Sequence, residues 1–279
     1  MAASDLFIGV VTHAASRFPD ARGSRGAGAR LADAWAELGR TTDVLVEDRD
    51  LWSESGLSLD PREGFSYRQE LLEEWRWRGF LDTRSRWWMA RQGLRILRNR
   101  FVASSDEGPG ASRRLLNIEF AHRGLWEQGL ASGAEVILVL EDDAHLGDAA
   151  DAAQGIAGLQ EATWNFTNLS SSFSADQLGV VSLLQPSGIE WEGSNQRIVL
   201  RSEKPVTNTV CALMFRRRFL ASLLRYWVDL PLEPLLPIDW KMNRVLRMMV
   251  ESQSLEASST LWVEPGPFIQ RSLHSAPQP

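Results

Sequence analysis

VILVLEDDAHL, from Val136 to Leu146, gives the clearest indication of the fold. Its five consecutive apolar residues predict a strand that is covered on both faces, as the strands of parallel sheets are. Three carboxylates, Glu141, Asp142 and Asp143, follow at the carboxyl end of that strand. Open α/β sheets bind ligands at this edge, in the crevice where the strand order reverses. The stretch therefore predicts an α/β fold with a ligand site beside these side chains.

The three acidic residues indicate a metal site. Neighbouring carboxylates repel one another, so they need a counter-charge if all are ionised. Mg²⁺ and Mn²⁺ suit such oxygen ligands, and they commonly bind through one or two carboxylates together with substrate phosphates. Strand alternation places Glu141 and Asp143 on one side and Asp142 on the other. The structural alternative is that Asp142 or Asp143 caps a following helix, but one cap does not account for three successive acids.

Length and composition indicate one large α/β domain, or one such domain with an inserted helical lobe, in 279 residues. Cys211 is the only cysteine, which excludes an internal disulfide and a cysteine-cluster metal site and favours a reducing compartment. No apolar run is long enough to cross a bilayer, and the first residues lack the features of a secretory signal, so we expect a cytoplasmic protein. The net charge of -6 argues against nucleic acid as the main partner.

The first 50 residues are predicted to be the nucleotide-binding start of the domain. Leu6–Thr12 and Thr42–Glu47 are short β-rich runs, and Ala27–Leu38 between them has helical spacing and ends before Gly39. Strand, helix and strand in this order make a βαβ unit, which implies a parallel sheet.

The stretch from 51 to 110 is predicted to be a helical insertion. It is rich in tryptophan, and runs such as RQELLEEWRWRGFL have helical spacing. The tryptophans could stack on sugar rings or on an aromatic acceptor, although burial of the lobe against the core is the simpler explanation. The arginines from Arg84 to Arg100 fit a peripheral contact with an anionic membrane or a phosphate-bearing acceptor, and solvated helix faces explain them nearly as well.

Residues 111–279 are predicted to complete the α/β domain, with the metal, donor and acceptor sites. We expect, in chain order, a helix at Arg113–Leu130, strands at Glu135–Leu140, Leu178–Leu184, Arg197–Leu200 and Thr207–Phe215, helices at Arg218–Trp227 and Ile238–Glu251, and a strand at Leu261–Glu264.

Several motifs of this chain resemble those of one enzyme family. VILVLEDDA resembles the DxD motif of glycosyltransferases with the GT-A fold, in the acidic form found in family 25, which contains lipopolysaccharide and collagen galactosyltransferases. The segment AHRGLWEQGLASGAEVILVLEDDA (121–144) is similar to that family's pattern, with His122 and Trp126 at the matching positions. TNTVCALMFRRRFLASLL (207–224), PIDW (237–240) and PGPFIQRSLHS (265–275) resemble its later elements. The resemblance runs in order from about 121 to 275, with a looser match at FIGVVTH, and it does not cover the insertion.

The resemblance implies a GT-A-like Rossmann-type mixed sheet and a metal-dependent transferase that uses a nucleotide-sugar donor, with a UDP-sugar as the first choice. It implies Asp143 as the direct ligand of Mn²⁺ or Mg²⁺. Glu141 and Asp142 would contact the water shell of the metal or the donor ribose. His274, near the C-terminus, is the candidate that completes the metal sphere, because a neutral imidazole can bind Mn²⁺.

Three further residues are candidates for binding the nucleotide. Thr12 ends the first strand, where GT-A proteins hold the base. Glu47 and Asp48 end the second strand and could accept hydrogen bonds from the base or the ribose.

Asp239 is the candidate catalytic base, as the resemblance implies. An inverting transferase needs a carboxylate that takes the proton of the acceptor hydroxyl. Asp239 also lies in the first turn of a predicted helix, where an acidic residue complements the helix dipole, and the two roles are compatible. A retaining mechanism stays open, and so does the acceptor, which could be a glycan, a protein or a small molecule.

Two other functions remain open on the residues alone. One is a different metal-dependent phosphoryl enzyme, such as a nucleotidyltransferase or a phosphatase, although such enzymes often carry a second acidic cluster. The other is a non-catalytic carbohydrate-binding protein of the same fold.

His122 shares a helix face with Ile118 and Leu125, so we expect a packed histidine rather than a ligand.

Overall fold

The computed structural model describes residues 4–13, 16–48, 66–82, 86–87, 89–91, 93–94, 97, 108–230, 237–255 and 259–271. Its strands are β1 Leu6–Thr12, β2 Thr42–Asp48, β3 Val136–Glu141, β4 Ala144–Leu146, β5 Phe166–Asn168, β6 Leu184–Pro186, β7 Ile198–Ser202, β8 Ala212–Arg216, β9 Thr260–Glu264 and β10 Phe268–Gln270. Its α-helices are α1 Ala27–Glu37, α2 Tyr67–Phe80, α3 Gly108–Ser132, α4 Ala149–Gln160, α5 Ala175–Leu178, α6 Arg217–Val228 and α7 Ile238–Glu251.

Eight strands form one mixed sheet in the order β2-β1-β3-β8-β5-β9-β7-β6, and β4 pairs with β10 in a separate two-stranded sheet. β1 runs parallel to β2 and β3, whereas β8 is antiparallel to both β3 and β5. The direction of the strands therefore reverses between β3 and β8, directly beside the strand that precedes the acidic residues. The predicted Rossmann-type mixed α/β sheet flanked by helices is confirmed.

Alternate residues of the central strands build a core on each face of the sheet. Ile8, Val10 and Leu138 pack with α1 and α4 on one face. Val11 and Val139 pack with α3, α6 and α7 on the other. Both faces are apolar because both are covered, as the five-residue apolar run predicted.

Close packing of α1 on the sheet requires a glycine. A Cβ at Gly28 would lie 2.7 Å from Cγ2 of Val10, so a larger residue would push the helix off β1. At its other end, α1 stops at Glu37, and Gly39 has a φ of +72°, a conformation that glycine adopts without steric cost. The βαβ unit and the glycine stop of its helix are confirmed.

The predicted strand at Leu178–Leu184 is wrong. The segment starts with the end of α5, in which Ser174 and Gln177 form a reciprocal capping box. Gly179 ends this helix in the left-handed conformation, and only the last predicted residue, Leu184, belongs to a strand. The capping side chains accept hydrogen bonds from the backbone N–H groups at the start of this helix. In a strand, such N–H groups would donate to a neighbouring strand instead.

The predicted strand at Thr207–Phe215 is too long at its start. Before Ala212, side-chain oxygens accept hydrogen bonds from two backbone N–H groups that would donate to a neighbouring strand in a longer β8. The Asn208 N–H donates to Oδ1 of Asn168 at 2.9 Å, and the Cys211 N–H donates to Oγ1 of Thr209 at 3.0 Å.

Helix α4 was not predicted, and its start signal is the N-cap Asp148 rather than the acidic cluster.

Part of the predicted insertion is a helix that packs against the core. Helix α2 begins after Ser66, whose hydroxyl accepts a hydrogen bond from the Gln69 N–H at 3.3 Å. Much of 51–110 lies outside the described residues, so the domain boundaries at 50 and 110 stay predictions.

In the described part of the chain, no helix combines the length and the apolar character needed to cross a membrane.

Candidate functional site

The carboxyl ends of three parallel strands meet at one edge of the sheet. Thr12 is opposite Asp48 in the register of β1 and β2, and Val11 is opposite both Glu47 and Glu141. Four of the predicted site residues, on β1, β2 and β3, therefore lie along this edge. Residues opposite each other in a sheet share a face, so Glu47 and Glu141 flank Val11 on the face covered by α3.

Glu141 and Asp143 converge behind this edge. One carboxylate oxygen of each, together with Sγ of Cys211, lies within 4.8 Å of the others. Asp143 is buried, with 6% of its surface exposed, and Glu141 is partly buried. The geometry is that of two carboxylates directed to one point on the β8 side of the sheet.

Asp142 contacts a different part of the chain from this pair. Its Oδ2 accepts a hydrogen bond from the Ser16 hydroxyl and lies 3.8 Å from Nε2 of His13. Asp142 thereby connects the acidic turn to the loop that follows β1.

The helix-cap alternative for the acidic residues is contradicted. Asp142 and Asp143 form a turn between β3 and β4, and the next helix begins only at Ala149. The cap of that helix is Asp148, whose Oδ1 accepts from the Asp151 N–H at 3.0 Å. Capping therefore does not explain why Asp142 and Asp143 are acidic.

The electrostatic environment of Glu141 disfavours a bare carboxylate. Burial raises the pKa of Glu141, and the charges of Asp143 and Asp142 raise it further. The neighbouring His122 opposes this effect. Its Nε2 lies 3.7 Å from Oε1 of Glu141. A cation at this point would relieve the repulsion between the carboxylates.

Cys211 places a sulfur atom beside the two carboxylates. Burial raises the pKa of its thiol, and the charges of Glu141 and Asp143 raise it in the same direction. Thiolates suit soft metal ions, whereas carboxylate oxygens suit hard ones. The oxygen atoms of Glu141 and Asp143 are therefore the candidate ligands for a hard cation.

His122 is buried, as predicted, with 1% of its surface exposed. It packs beside Trp126, with ring centroids 6.0 Å apart. Its proximity to Glu141 was not predicted, because the helix periodicity shows a buried face but not which strand end that face meets. In the sequence, only the resemblance of His122 and Trp126 to the family motif indicated a place near the acidic residues.

Gln270 and Arg271 adjoin the site and were not predicted as site residues. The pairing of β10 with β4 places Gln270 opposite Ala144, directly after the acidic turn. Nε2 of Gln270 lies 3.5 Å from Oε2 of Glu141, and the Arg271 N–H donates to the carbonyl oxygen of Asp143 at 2.9 Å. Both residues lie in the PGPFIQRSLHS segment. The predicted metal ligand of that segment, His274, lies outside the described residues.

One unpartnered oxygen beside Glu141 fits a divalent cation with oxygen ligands. Oε1 of Gln270 is buried and has no hydrogen-bond partner among the described residues, and Nε2 of the same amide lies 3.5 Å from Oε2 of Glu141. Oγ1 of Thr12 is also buried without a partner in the described part of the chain, but strand alternation places it on the other face of β1 from Val11. Buried polar atoms nearly always have partners, so unpartnered atoms near a site suggest a ligand or ordered water. The donor set around Glu141 is therefore compatible with Mg²⁺ or Mn²⁺.

Asp239 lines a cavity whose described lining includes none of the three acidic residues. Asp239 is in the first turn of α7, after Pro237, and lines this cavity together with Thr207 and Asn208. The segment from Thr207 to Cys211 connects the two places, because its start lines the cavity and its end contacts Glu141 and Asp143.

No family model and no curated protein matches this chain. Its function must therefore be inferred from the residues of the site and from the motifs that resemble family 25.

Proposed function

We propose that this protein is a metal-dependent glycosyltransferase that moves a sugar from a nucleotide diphosphate sugar, with a UDP-sugar as the first choice, to an acceptor hydroxyl. One observation carries the proposal. The carboxylates of Glu141 and Asp143 converge on a single point, within 4.8 Å of each other, at the carboxyl end of a central parallel strand. That is where open α/β sheets bind nucleotides, and it is where a diphosphate needs a counter-charge.

Glu141 and Asp143 would hold Mn²⁺ or Mg²⁺, with His274 as a further candidate ligand. When bound, the ion supplies positive charge that stabilises the diphosphate as it leaves. The buried thiol of Cys211 and the adjoining strands exclude water from one side of this point. His122 lies beside the carboxylate of Glu141, with its Nε2 3.7 Å from Oε1.

Thr12, Glu47 and Asp48 would bind the nucleotide, because they continue the same edge of the sheet beyond the metal ligands. Asp142 holds the loop after β1 in place through Ser16 and His13. The donor would therefore lie along the ends of β2, β1 and β3, with its diphosphate toward β3.

Asp239 would accept the proton of the acceptor hydroxyl as that oxygen attacks the anomeric carbon. A carboxylate near an acceptor pocket can perform this step without the metal, because it needs only hydrogen-bond reach to the hydroxyl. Its position in a cavity wall, rather than in the acidic cluster, fits a separate role in the reaction. An inverting outcome follows if Asp239 acts in this way.

Hydrolysis of the donor tests the proposal without knowledge of the acceptor. The protein is incubated with a panel of UDP-, GDP- and CDP-sugars, with and without Mn²⁺, and the products are measured by mass spectrometry. We expect slow release of free sugar from one donor class only when Mn²⁺ is present. Asp143→Asn should lower the rate at least about 100-fold, since loss of metal binding removes several kcal/mol of charge stabilisation.

Asp148→Asn is the matched control. It makes the same chemical change five residues away, in a helix cap where asparagine serves as well as aspartate. Equal rates for the Asp143 and Asp148 variants would contradict the proposal, and so would hydrolysis that does not need a metal. Release of phosphate from simple esters would indicate a phosphatase instead.

A further inference from the structure

A cavity of about 380 Å³ lies between helix α2 of the insertion and helix α7 of the core. This volume is typical of small-molecule pockets, which range over about 300–1,000 Å³. Asp239 lines the cavity, whereas none of Glu141, Asp142 and Asp143 belongs to its lining as the described residues form it. The cavity is therefore a second candidate site, with a lining of its own.

Two ion pairs hold the wall formed by the insertion in place. Nη2 of Arg244 lies 2.7 Å from Oε2 of Glu70, and Nη2 of Arg247 lies 2.7 Å from Oε2 of Glu73. All four side chains are largely shielded from solvent, with 20% exposure or less. Partly buried pairs with this geometry fix the relative position of two helices better than exposed pairs do.

Aromatic side chains form the apolar part of the wall. Trp77 comes from α2, Trp240 from α7, and Phe173 from the loop before α5. Phe173 is 36% exposed, although it is a large apolar residue. Aromatic faces that line an open pocket can stack on the C–H faces of a ring.

Two amide side chains contribute hydrogen-bond donors to the same wall. Oδ1 of Asn243 accepts from the Thr207 N–H, and Oε1 of Gln177 accepts from the Ser174 N–H, both at 2.9 Å. Each amide oxygen is therefore fixed, while the NH₂ group of each has no hydrogen-bond partner among the described residues. Such donors suit hydroxyl oxygens, and the carboxylate of Asp239 can accept a hydrogen bond from a hydroxyl hydrogen.

The charges of the wall favour a neutral ligand. Its two arginines, Arg78 and Arg244, are both paired with glutamates, at 3.0 Å to Glu74 and 2.7 Å to Glu70. The glutamates balance this positive charge, and Asp239 adds a further carboxylate to the wall. An anionic ligand is consequently disfavoured by repulsion and desolvation.

We infer that this cavity binds a neutral ring that carries several hydroxyl groups, that is, a saccharide unit. On the proposed function, this saccharide is the acceptor, and one of its hydroxyls lies within reach of Asp239. The insertion then has a specific role, because α2 supplies Trp77 and the glutamates that hold the pocket together.

Binding without a donor tests this inference independently of the proposed function. Saturation-transfer NMR is recorded with neutral mono- and disaccharides, with a hexose phosphate and with a flat phenol. We expect binding of at least one neutral saccharide and preference for it over the other two classes. Trp77→Ala should weaken that binding about tenfold, the loss expected for one stacking contact.

Trp75→Ala is the matched control, because Trp75 is on the same helix, is 40% exposed and does not belong to the lining. It should bind the saccharide as the wild type does. If Trp77→Ala fails to fold, Gln177→Glu replaces it, since a glutamate oxygen can still accept from the Ser174 N–H in the capping box while the NH₂ donor is lost. That variant should bind several-fold more weakly.

Preference for the phenol or the hexose phosphate overturns the inference, and so does unchanged saccharide binding by both lining variants. These outcomes leave donor hydrolysis intact if the proposed function is right. Conversely, saccharide binding with no metal-dependent donor hydrolysis would support the pocket and contradict the transferase.

Discussion

Nζ of Lys241 lies 2.7 Å from Oε1 of Glu119, and both side chains are almost completely buried. Lys241 is two residues after Asp239 on α7, and Glu119 is three residues before His122 on α3. The indole N–H of Trp227 donates to the same oxygen of Glu119 at 2.8 Å. The pair therefore fixes the helix of the candidate base against the helix that contacts the acidic site.

Breaking this pair should be costly for stability. Lys241→Met leaves Glu119 buried without its cation, and we expect a loss of about 3–5 kcal/mol in the free energy of unfolding. Urea denaturation followed by tryptophan fluorescence measures the change. The double variant Lys241→Met/Glu119→Gln removes both charges and keeps an acceptor for Trp227, so it should recover much of the loss. A double variant as unstable as the single one would contradict this explanation.

Removing one carboxylate of the acidic pair should stabilise the metal-free protein. Asp143→Asn relieves the repulsion with Glu141, and we expect a gain of roughly 1 kcal/mol, or about 2–4 °C in melting temperature. The same variant should lose the stabilisation that Mn²⁺ gives to the wild type. Differential scanning calorimetry with and without Mn²⁺ provides both values. A variant that melts lower without metal, yet still responds to Mn²⁺, would show that Asp143 has a packing role only.

Arg247 should hold the insertion helix on the core. Arg247→Gln breaks the buried pair with Glu73, and we expect the local opening free energy of α2 to fall by roughly 1–2 kcal/mol. Hydrogen exchange at 67–80 should then be about five- to thirtyfold faster, with exchange in β3 unchanged. Mass spectrometry of peptides from both regions measures this difference.

Arg76→Gln is the control for that experiment, because Arg76 pairs with the same Glu73 but is 52% exposed. An exposed pair contributes roughly 0–1 kcal/mol, so exchange at 67–80 should change little. Equal effects of the two variants would mean that burial does not determine the strength of this contact.

Asp151 should make stability depend on pH in the acid range. Burial of its carboxyl raises the pKa, but this effect is outweighed by hydrogen bonds from Asn195, Arg197 and Trp191, so the pKa of Asp151 is lowered from 3.8. A lowered pKa in the folded state gives stability that is present above the unfolded value and is lost as pH falls through the folded one. Wild type should therefore exceed Asp151→Asn in unfolding free energy at pH 7, by about 1–3 kcal/mol.

The difference in unfolding free energy between wild type and Asp151→Asn should shrink as the pH falls below about 3.8. In this range the Asp151 carboxylate of the unfolded chain takes up a proton while that of the folded protein is still ionised, which favours unfolding. Urea titrations at several pH values between 7 and 3 give this profile. A difference that stays constant across the range would show that the lost hydrogen bonds, and not the charge, determine the effect.

Local sequence signals determined much of this fold. The run before Glu141 specifies a strand covered on both faces, since an unbroken apolar run can only be buried on both sides. Gly39 follows the end of α1 because glycine adopts the left-handed backbone conformation without steric cost. Pro237 marks the start of α7 because its ring restricts φ and it has no N–H to satisfy. Ile238–Glu251 and Leu6–Thr12 were predicted with the bounds that the structure gives.

Elements that form only through contacts with other parts of the chain were harder to predict from the sequence. The segment 178–184 looks like a strand in isolation, but the capping box of Ser174 and Gln177 makes it start as a helix. β4 and β10 are three residues each, too short for any periodicity to indicate them, and they form because they pair with each other.

Neighbours along the chain are enough to predict that three carboxylates follow a buried strand, because the apolar run and the acidic residues are adjacent in the sequence. The distant groups that meet these carboxylates could not be predicted in the same way. His122, Cys211 and Gln270 reach Glu141 from a helix, from the residue before β8 and from the C-terminal segment, and their contacts depend on long-range packing that local patterns do not encode. The same packing places Asp239 in the wall of a cavity whose lining, as the described residues form it, includes none of the three carboxylates.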